Sequence, residues 1–231
     1  MPRTMRLTPD LVARVPPHDG RSGLVSSRSD RPTDADYAAA AVFLLKDRPA
    51  SGEVWVFAYG SLIWNPEFSF VEERLGLAHG WHRLFCLGWV HLYRGTPERP
   101  GIMLALDRGG SCRGVAFRLP TDAVEASLIP LLRREMPIKG PAIPARWLTV
   151  RTDQGDIRAI TFPISRSSEA YLPDLTEEVV VEALATAAGE RGSMAEYLHS
   201  TVSHLEQRGI HDRYLWRLQE LVADRIARDP A

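Results

Sequence analysis

The sequence predicts an α+β fold in which a compact antiparallel sheet or small barrel precedes a helical C-terminal part. Three observations carry that expectation. Short apolar segments separated by Gly, Pro and Arg fill residues 54–119, a strand-and-turn pattern. After residue 174 the pattern changes to helical spacing with capping-box pairs. A single helical stretch, 122–136, interrupts the strands, and strands followed by helices favour segregated layers over a doubly wound sheet. The chain has 231 residues, 45% of them apolar and 25% charged, enough for one sizeable core. One domain is expected over residues 37–231. It follows an irregular lead-in, residues 1–36, where only Leu11-Val12-Ala13-Arg14-Val15 has helical character.

The elements follow in order. Residues 36–46 carry strong helix formers, with a cap expected at Asp34 or Asp36. Val54-Trp55-Val56-Phe57-Ala58 reads as a buried strand that breaks at Tyr59-Gly60-Ser61. Leu75 to Trp89, Ile102 to Leu106 and Cys112 to Leu119 read as three antiparallel strands. A helix over 122–136 opens with Asp122 and Glu125 at capping-box spacing and contains Pro130. Two strands, Arg146 to Arg151 and Ile157 to Phe162, flank the turn Asp153-Gln154-Gly155-Asp156. Helices are expected near 175–188, 194–208 and 212–228. Asp174 with Glu177 and Ser193 with Glu196 mark two starts, and Gly189 and Gly209 mark ends.

Composition excludes several classes. A formal net charge of -1 gives no field for a nucleic-acid backbone. The sequence holds no apolar run of membrane-spanning length, and its first residues lack the apolar core of a secretory signal. Cys86 and Cys112 form neither a disulfide framework nor a CxxC pair, so the cytoplasm is the expected compartment. The seven histidines contain no HExxH, and the glycines lack the strand–GxGxxG–helix setting. No metal and no cofactor are expected.

Two places remain for chemistry. A tight turn at Gly60, with positive φ available to glycine, aims the N–H groups of Gly60, Ser61 and Leu62 at one point and attracts an anion. The alternative is a plain strand corner. Glu135 falls where the apolar face Val124, Leu128, Leu131 next meets the core. A carboxyl there is raised toward neutrality, as a general base or acid needs, unless it simply pairs with Arg133, Arg134 or Arg146. Ser61 lacks the G-x-S-x-G elbow of a nucleophile. Arg94 or Arg99, in a loop by composition, has the geometry to hold a carboxylate or to stay solvated.

Residues 55–66, His79-Gly80-Trp81-His82-Arg83, residues 94–101 and Arg134-Glu135-Met136 together resemble the ChaC-like gamma-glutamylcyclotransferases, over about residues 53–222. The resemblance implies a small mixed barrel with flanking helices that acts on glutathione, forming 5-oxoproline and releasing cysteinylglycine. It implies Glu135 as the catalytic acid/base and a gamma-glutamyl cradle made of Tyr59, Gly60, Ser61, Leu62, Ile63 and Trp64. It gives Tyr171 a lesser binding role. The sequence departs from the family pattern at 138–145, where a tyrosine is missing, and at Ser193-Met194, where Ser-Asn is expected. A cyclase for other gamma-glutamyl peptides or amines, and a binding or regulatory module with a silent site, are the alternatives.

Overall fold

The computed structural model describes residues 3–17, 31–91, 93–137 and 143–229. The 138–145 departure falls largely outside them. The chain packs as two compact units built from non-contiguous segments: residues 1–25, 85–104 and 170–231 in the first, and residues 26–84 and 105–169 in the second.

The second unit holds the barrel. Its central strand β1 (Trp55–Ala58) is buried at every position, as a run of Trp, Val, Phe and Ala with no polar alternation requires. It pairs antiparallel with β3 (Gly101–Arg118), from Trp55↔Arg118 to Ala58↔Val115. On its other edge it pairs parallel with β5 (Gly155–Thr161), through Trp55↔Ala159 and Val56↔Ile160. β4 (Arg146–Thr152) runs antiparallel to β5 and meets β2 (Glu72–Val90) at Leu77↔Arg151. The order β1-β3-β2-β4-β5 closes the barrel. Trp55, Phe57, Leu106, Leu148, Val150 and Ala159 meet in its interior, so closure removes both free edges and buries the inward side chains together.

Two expected strands, 102–106 and 112–119, are one. β3 continues through Asp107–Ser111 because Gly109 (φ +115) and Gly110 (φ +64) supply a left-handed bend that lets the ladder resume. Helix α2 (Asp34–Lys46) is capped by Thr33, not by Asp34 or Asp36; Asp36 answers from N3 in a reciprocal capping box. Helix α3 (Val124–Glu135) begins at Ala123 without a side-chain cap, so the Asp122 and Glu125 box does not form. It buries Val124, Leu128, Leu131 and Leu132, keeps Pro130 in its interior, and accepts a hydrogen bond from the Tyr37 hydroxyl at the Met136 carbonyl, 3.0 Å.

The first unit is mainly helical. Helix α1 (Pro9–Ala13), capped by Thr8, lies in the expected lead-in. Leu7 beside it is fully buried, and the Arg6 and Leu7 N–H groups both donate to Gln219 Oε1 at 2.9 Å. Helix α4 (Glu177–Thr186) starts from Thr176, displacing the expected Asp174 cap. Gly189 belongs to a two-residue strand, β6 (Ala188–Gly189), paired with β7 (Gly192–Ser193), and ends no helix. Helices α5 (Met194–Gln207) and α6 (Arg213–Arg228) are capped by Ser193 and Asp212. Gly209 closes α5 with φ +70, as its position suggested.

Gly114 on β3 shows how tightly β1 is held. A Cβ there would collide with the Ala58 carbonyl oxygen and stand 2.7 Å from the Phe57 ring. Gly114→Ala is expected to cost about 1–3 kcal/mol by overpacking. The measurement is the urea midpoint, which should fall at unchanged m-value.

Candidate active site

Beyond Ala58 the chain leaves the barrel, and three contacts fix its exit. The Tyr59 hydroxyl donates to the Phe162 carbonyl at 2.8 Å. Arg83, only 4% exposed, donates from Nε to the Tyr59 carbonyl at 2.5 Å and from Nη2 to the Arg113 carbonyl. A buried guanidinium has to be satisfied in this way, and here the satisfaction sets the turn. Gly60 has φ −137, so the turn does not use the left-handed freedom expected of it.

Ser61–Ile63 then form a single 3-10 turn. The Ile63 N–H donates to the Gly60 carbonyl at 2.9 Å, and the Trp64 and Asn65 N–H groups donate to the Ser61 carbonyl at 3.2 and 2.8 Å. Among the described residues the N–H groups of Gly60, Ser61 and Leu62 have no acceptor, as the opening of a helical turn leaves them. Leu62 and Ile63 are 5% and 2% exposed. Their side chains serve the core, between half-buried Ser61 and half-buried Trp64.

Glu135 is the last residue of α3, with 19% of its side chain exposed. Its neighbour Arg134 reaches both ways: Nε lies 3.2 Å from Glu135 Oε1, and Nη2 donates to Ser61 Oγ at 3.2 Å. Arg134 Nη1 also donates to the Asn65 carbonyl at 2.5 Å and lies 3.0 Å from Glu67 Oε2. One guanidinium therefore joins the carboxyl to the turn.

Desolvation raises the Glu135 pKa to about 7, against the pull of Arg134, which lowers it; Glu67 adds to the rise. The apolar-face reading and the ion-pair reading of Glu135 hold together, with burial the larger effect. A carboxyl poised near neutrality can both take up and return a proton at physiological pH. Ser61 accepts a hydrogen bond from a guanidinium, which opposes activation of its hydroxyl as a nucleophile.

The remaining candidates belong to the first unit. Arg94 donates from Nη1 to the Ser193 carbonyl at 2.7 Å and to Glu196 Oε2 at 3.2 Å, and lies 5.4 Å from the Tyr197 ring centroid. Those partners make it a fastener of β7 to the start of α5. Tyr171 bridges Leu87, between the bonds Gly88 N–H to Ala170 O (3.1 Å) and Leu172 N–H to Cys86 O (2.8 Å). Cys86 and Cys112 are buried thiols outside any disulfide. Among the described residues no group of three or more His, Cys, Asp or Glu is placed to hold a metal ion, and no helix is long and apolar enough to cross a membrane.

Sequence reasoning missed Arg83. Its signal was a cation inside the apolar run Leu84-Phe85-Cys86 and its approach, where only a specific acceptor tolerates burial.

A family model described as ChaC-like protein matches residues 54–225. The chain is 41% identical over 176 residues to a glutathione-specific gamma-glutamylcyclotransferase of Escherichia coli (strain K12), covering 76% of this chain and 75% of that protein. It is 30% identical over 148 residues to glutathione-specific gamma-glutamylcyclotransferase 1 of Mus musculus, covering 63% of this chain and 66% of that one. The solved structure of a gamma-glutamyl cyclotransferase specific to glutathione from yeast superposes with a TM-score of 0.67 at 20% identity, over 74% of this chain and 96% of the other; that likeness concerns the fold.

A carboxyl whose pKa is higher folded than unfolded binds its proton more tightly in the native state. Stability therefore falls as pH rises from about 4.5 to about 7, by about 3 kcal/mol at most. Glu135→Gln should flatten this stretch of the profile, read as urea midpoints at pH 4.5, 6 and 8.

Proposed function

The chain belongs to the ChaC-like family, and from that premise we propose that it is a glutathione-specific gamma-glutamylcyclotransferase, a lyase that converts the gamma-glutamyl group to 5-oxoproline and releases cysteinylglycine. The observation that carries the chemistry is a carboxyl with a pKa of about 7, tied through one arginine to a turn with three open N–H donors.

The substrate's α-amine is largely protonated at neutral pH and cannot attack its own γ-carbonyl. Glu135 removes that proton. Nucleophile and electrophile belong to one molecule, so holding them in a near-attack conformer supplies much of the rate, and ring closure needs no water. As the carbonyl carbon becomes tetrahedral, charge grows on its oxygen. The N–H groups of Gly60, Ser61 and Leu62 form a preorganised set of donors for an anion of the substrate. As the C–N bond to cysteinylglycine breaks, the ring nitrogen gives up its second proton to the departing amine and Glu135 returns the first, so that cysteinylglycine leaves as an ammonium and the carboxylate is restored. Tyr59 and Arg83 act by holding the turn, and Leu62 and Ile63 by anchoring it in the core.

A reducing compartment suits two buried cysteine thiols, and the reading includes the cytoplasm. It includes a small-molecule substrate and no nucleic acid, in line with a net charge of -1.

Release of 5-oxoproline from glutathione, compared with gamma-glutamyl amino acids, tests the reading; equal turnover of both would replace it with a general gamma-glutamyl cyclase. Glu135→Gln should lower kcat about a hundredfold or more while calorimetry still detects glutathione binding. The acidic limb of kcat/KM should fall near pH 7. Arg134→Ala should move that limb to higher pH, because it removes the cation that holds the carboxyl down.

A further inference from the structure

At the barrel end where β1 delivers the Gly60 turn there is a second feature, a cavity of about 250 Å³ lined by Trp81, Arg108, Arg146, Ser165, Arg166 and Ser167 among others. All of these residues belong to the second unit. Strand direction fixes the shared end. β5 runs parallel to β1 and Arg146 of β4 stands opposite Thr161, so the chain leaving β5 and the start of β4 sit beside the chain leaving β1. The bond from the Tyr59 hydroxyl to the Phe162 carbonyl crosses that end directly.

The cavity wall is cationic in a selective way. Arg166 is satisfied by Asp107, with Nε and Nη2 on the two carboxylate oxygens at 2.8 and 3.0 Å, and it also donates to the Arg108 carbonyl at 2.8 Å. It is a strut. Asp107, 2% exposed, thereby has its charge consumed. Arg108 and Arg146 differ: among the described residues neither guanidinium has an acidic partner, and Arg146 rests on the Trp81 ring at 6.0 Å from its centroid. Two guanidinium groups without carboxylates, that of Arg146 over an indole, with two hydroxyls in the same lining, form a receptor for a carboxylate on a short, partly apolar arm.

We propose that Arg146 and Arg108 bind the C-terminal carboxylate of the substrate's cysteinylglycine portion, making this cavity the determinant that selects a gamma-glutamyl dipeptide over a gamma-glutamyl amine. The inference rests on the reading given under Proposed function. Scale supports it. Two residues of extended chain span about 7 Å, between one and two strand spacings of about 4.8 Å, which is the separation of β1 from β5 and β4. The cavity volume of about 250 Å³ is many times the room a single water needs, enough for a dipeptide.

The test compares glutathione with its glycine monoethyl ester, which keeps the reacting gamma-glutamyl group and removes the distal charge. The wild-type protein should show a kcat/KM at least about tenfold higher for glutathione. Arg146→Ala should bring that ratio to about one by raising KM for glutathione with kcat little changed, and Arg108→Ala should move it in the same direction. Equal kcat/KM for the two compounds in the wild type, or equal losses on both in the variants, overturns the subsite and leaves the cyclase reading intact. No 5-oxoproline from either compound overturns both.

Discussion

The site depends on a contest at one carboxyl. Burial at the end of α3 disfavours the charged form of Glu135, and Arg134 favours it. Were the arginine to dominate, the group would stay ionised across the physiological range and be a feeble base. Were burial unopposed, it would stay neutral and take no proton at all. The balance near neutrality comes from dividing Arg134 among Glu135, Ser61, Asn65 and Glu67. Glu67 is itself 60% exposed and screened by water, so it draws on the guanidinium without neutralising it.

The barrel makes that balance reproducible. Arg134 can reach the turn only if the turn stays put, and the turn is held by a buried cation on the Tyr59 carbonyl and by a phenol pinned to the chain beyond β5. Both anchors come from barrel strands or their ends, which are more rigid supports than loops. The 3-10 turn adds its own constraint: buried Leu62 and Ile63 hold it against the core.

Much of this was legible in the residues. Trp55 to Ala58 is apolar at every position, so a doubly buried strand follows from composition alone. The step from Leu131 to Glu135 placed the carboxyl correctly despite Pro130. The errors share a physical cause. Gly109 and Gly110 read as a break, because local sequence does not tell a turn that ends a strand from a bulge that bends it. Asp122 and Asp174 have good capping spacing, yet α3 starts at Ala123 without a side-chain cap and Thr176 caps α4; the choice of cap is decided by where packing starts each helix. Arg83 was invisible as a positioning residue because its acceptors, the carbonyls of Tyr59 and Arg113, are distant in sequence. The pairing of two arginines with a cavity is likewise a product of topology.

The parallel join of β1 to β5 has a bearing on how the molecule is made. Its partners lie about a hundred residues apart in the chain, a high-contact-order closure. At ribosomal speeds of about 5–20 residues per second, one edge of the apolar segment Trp55–Ala58 waits at least about five seconds for its neighbour to be synthesised. Throughout that interval the nascent polypeptide carries an open, sticky ribbon, and the turn lacks its brace at the Phe162 carbonyl. Competence is thus conferred only when the hairpin of β4 and β5 arrives.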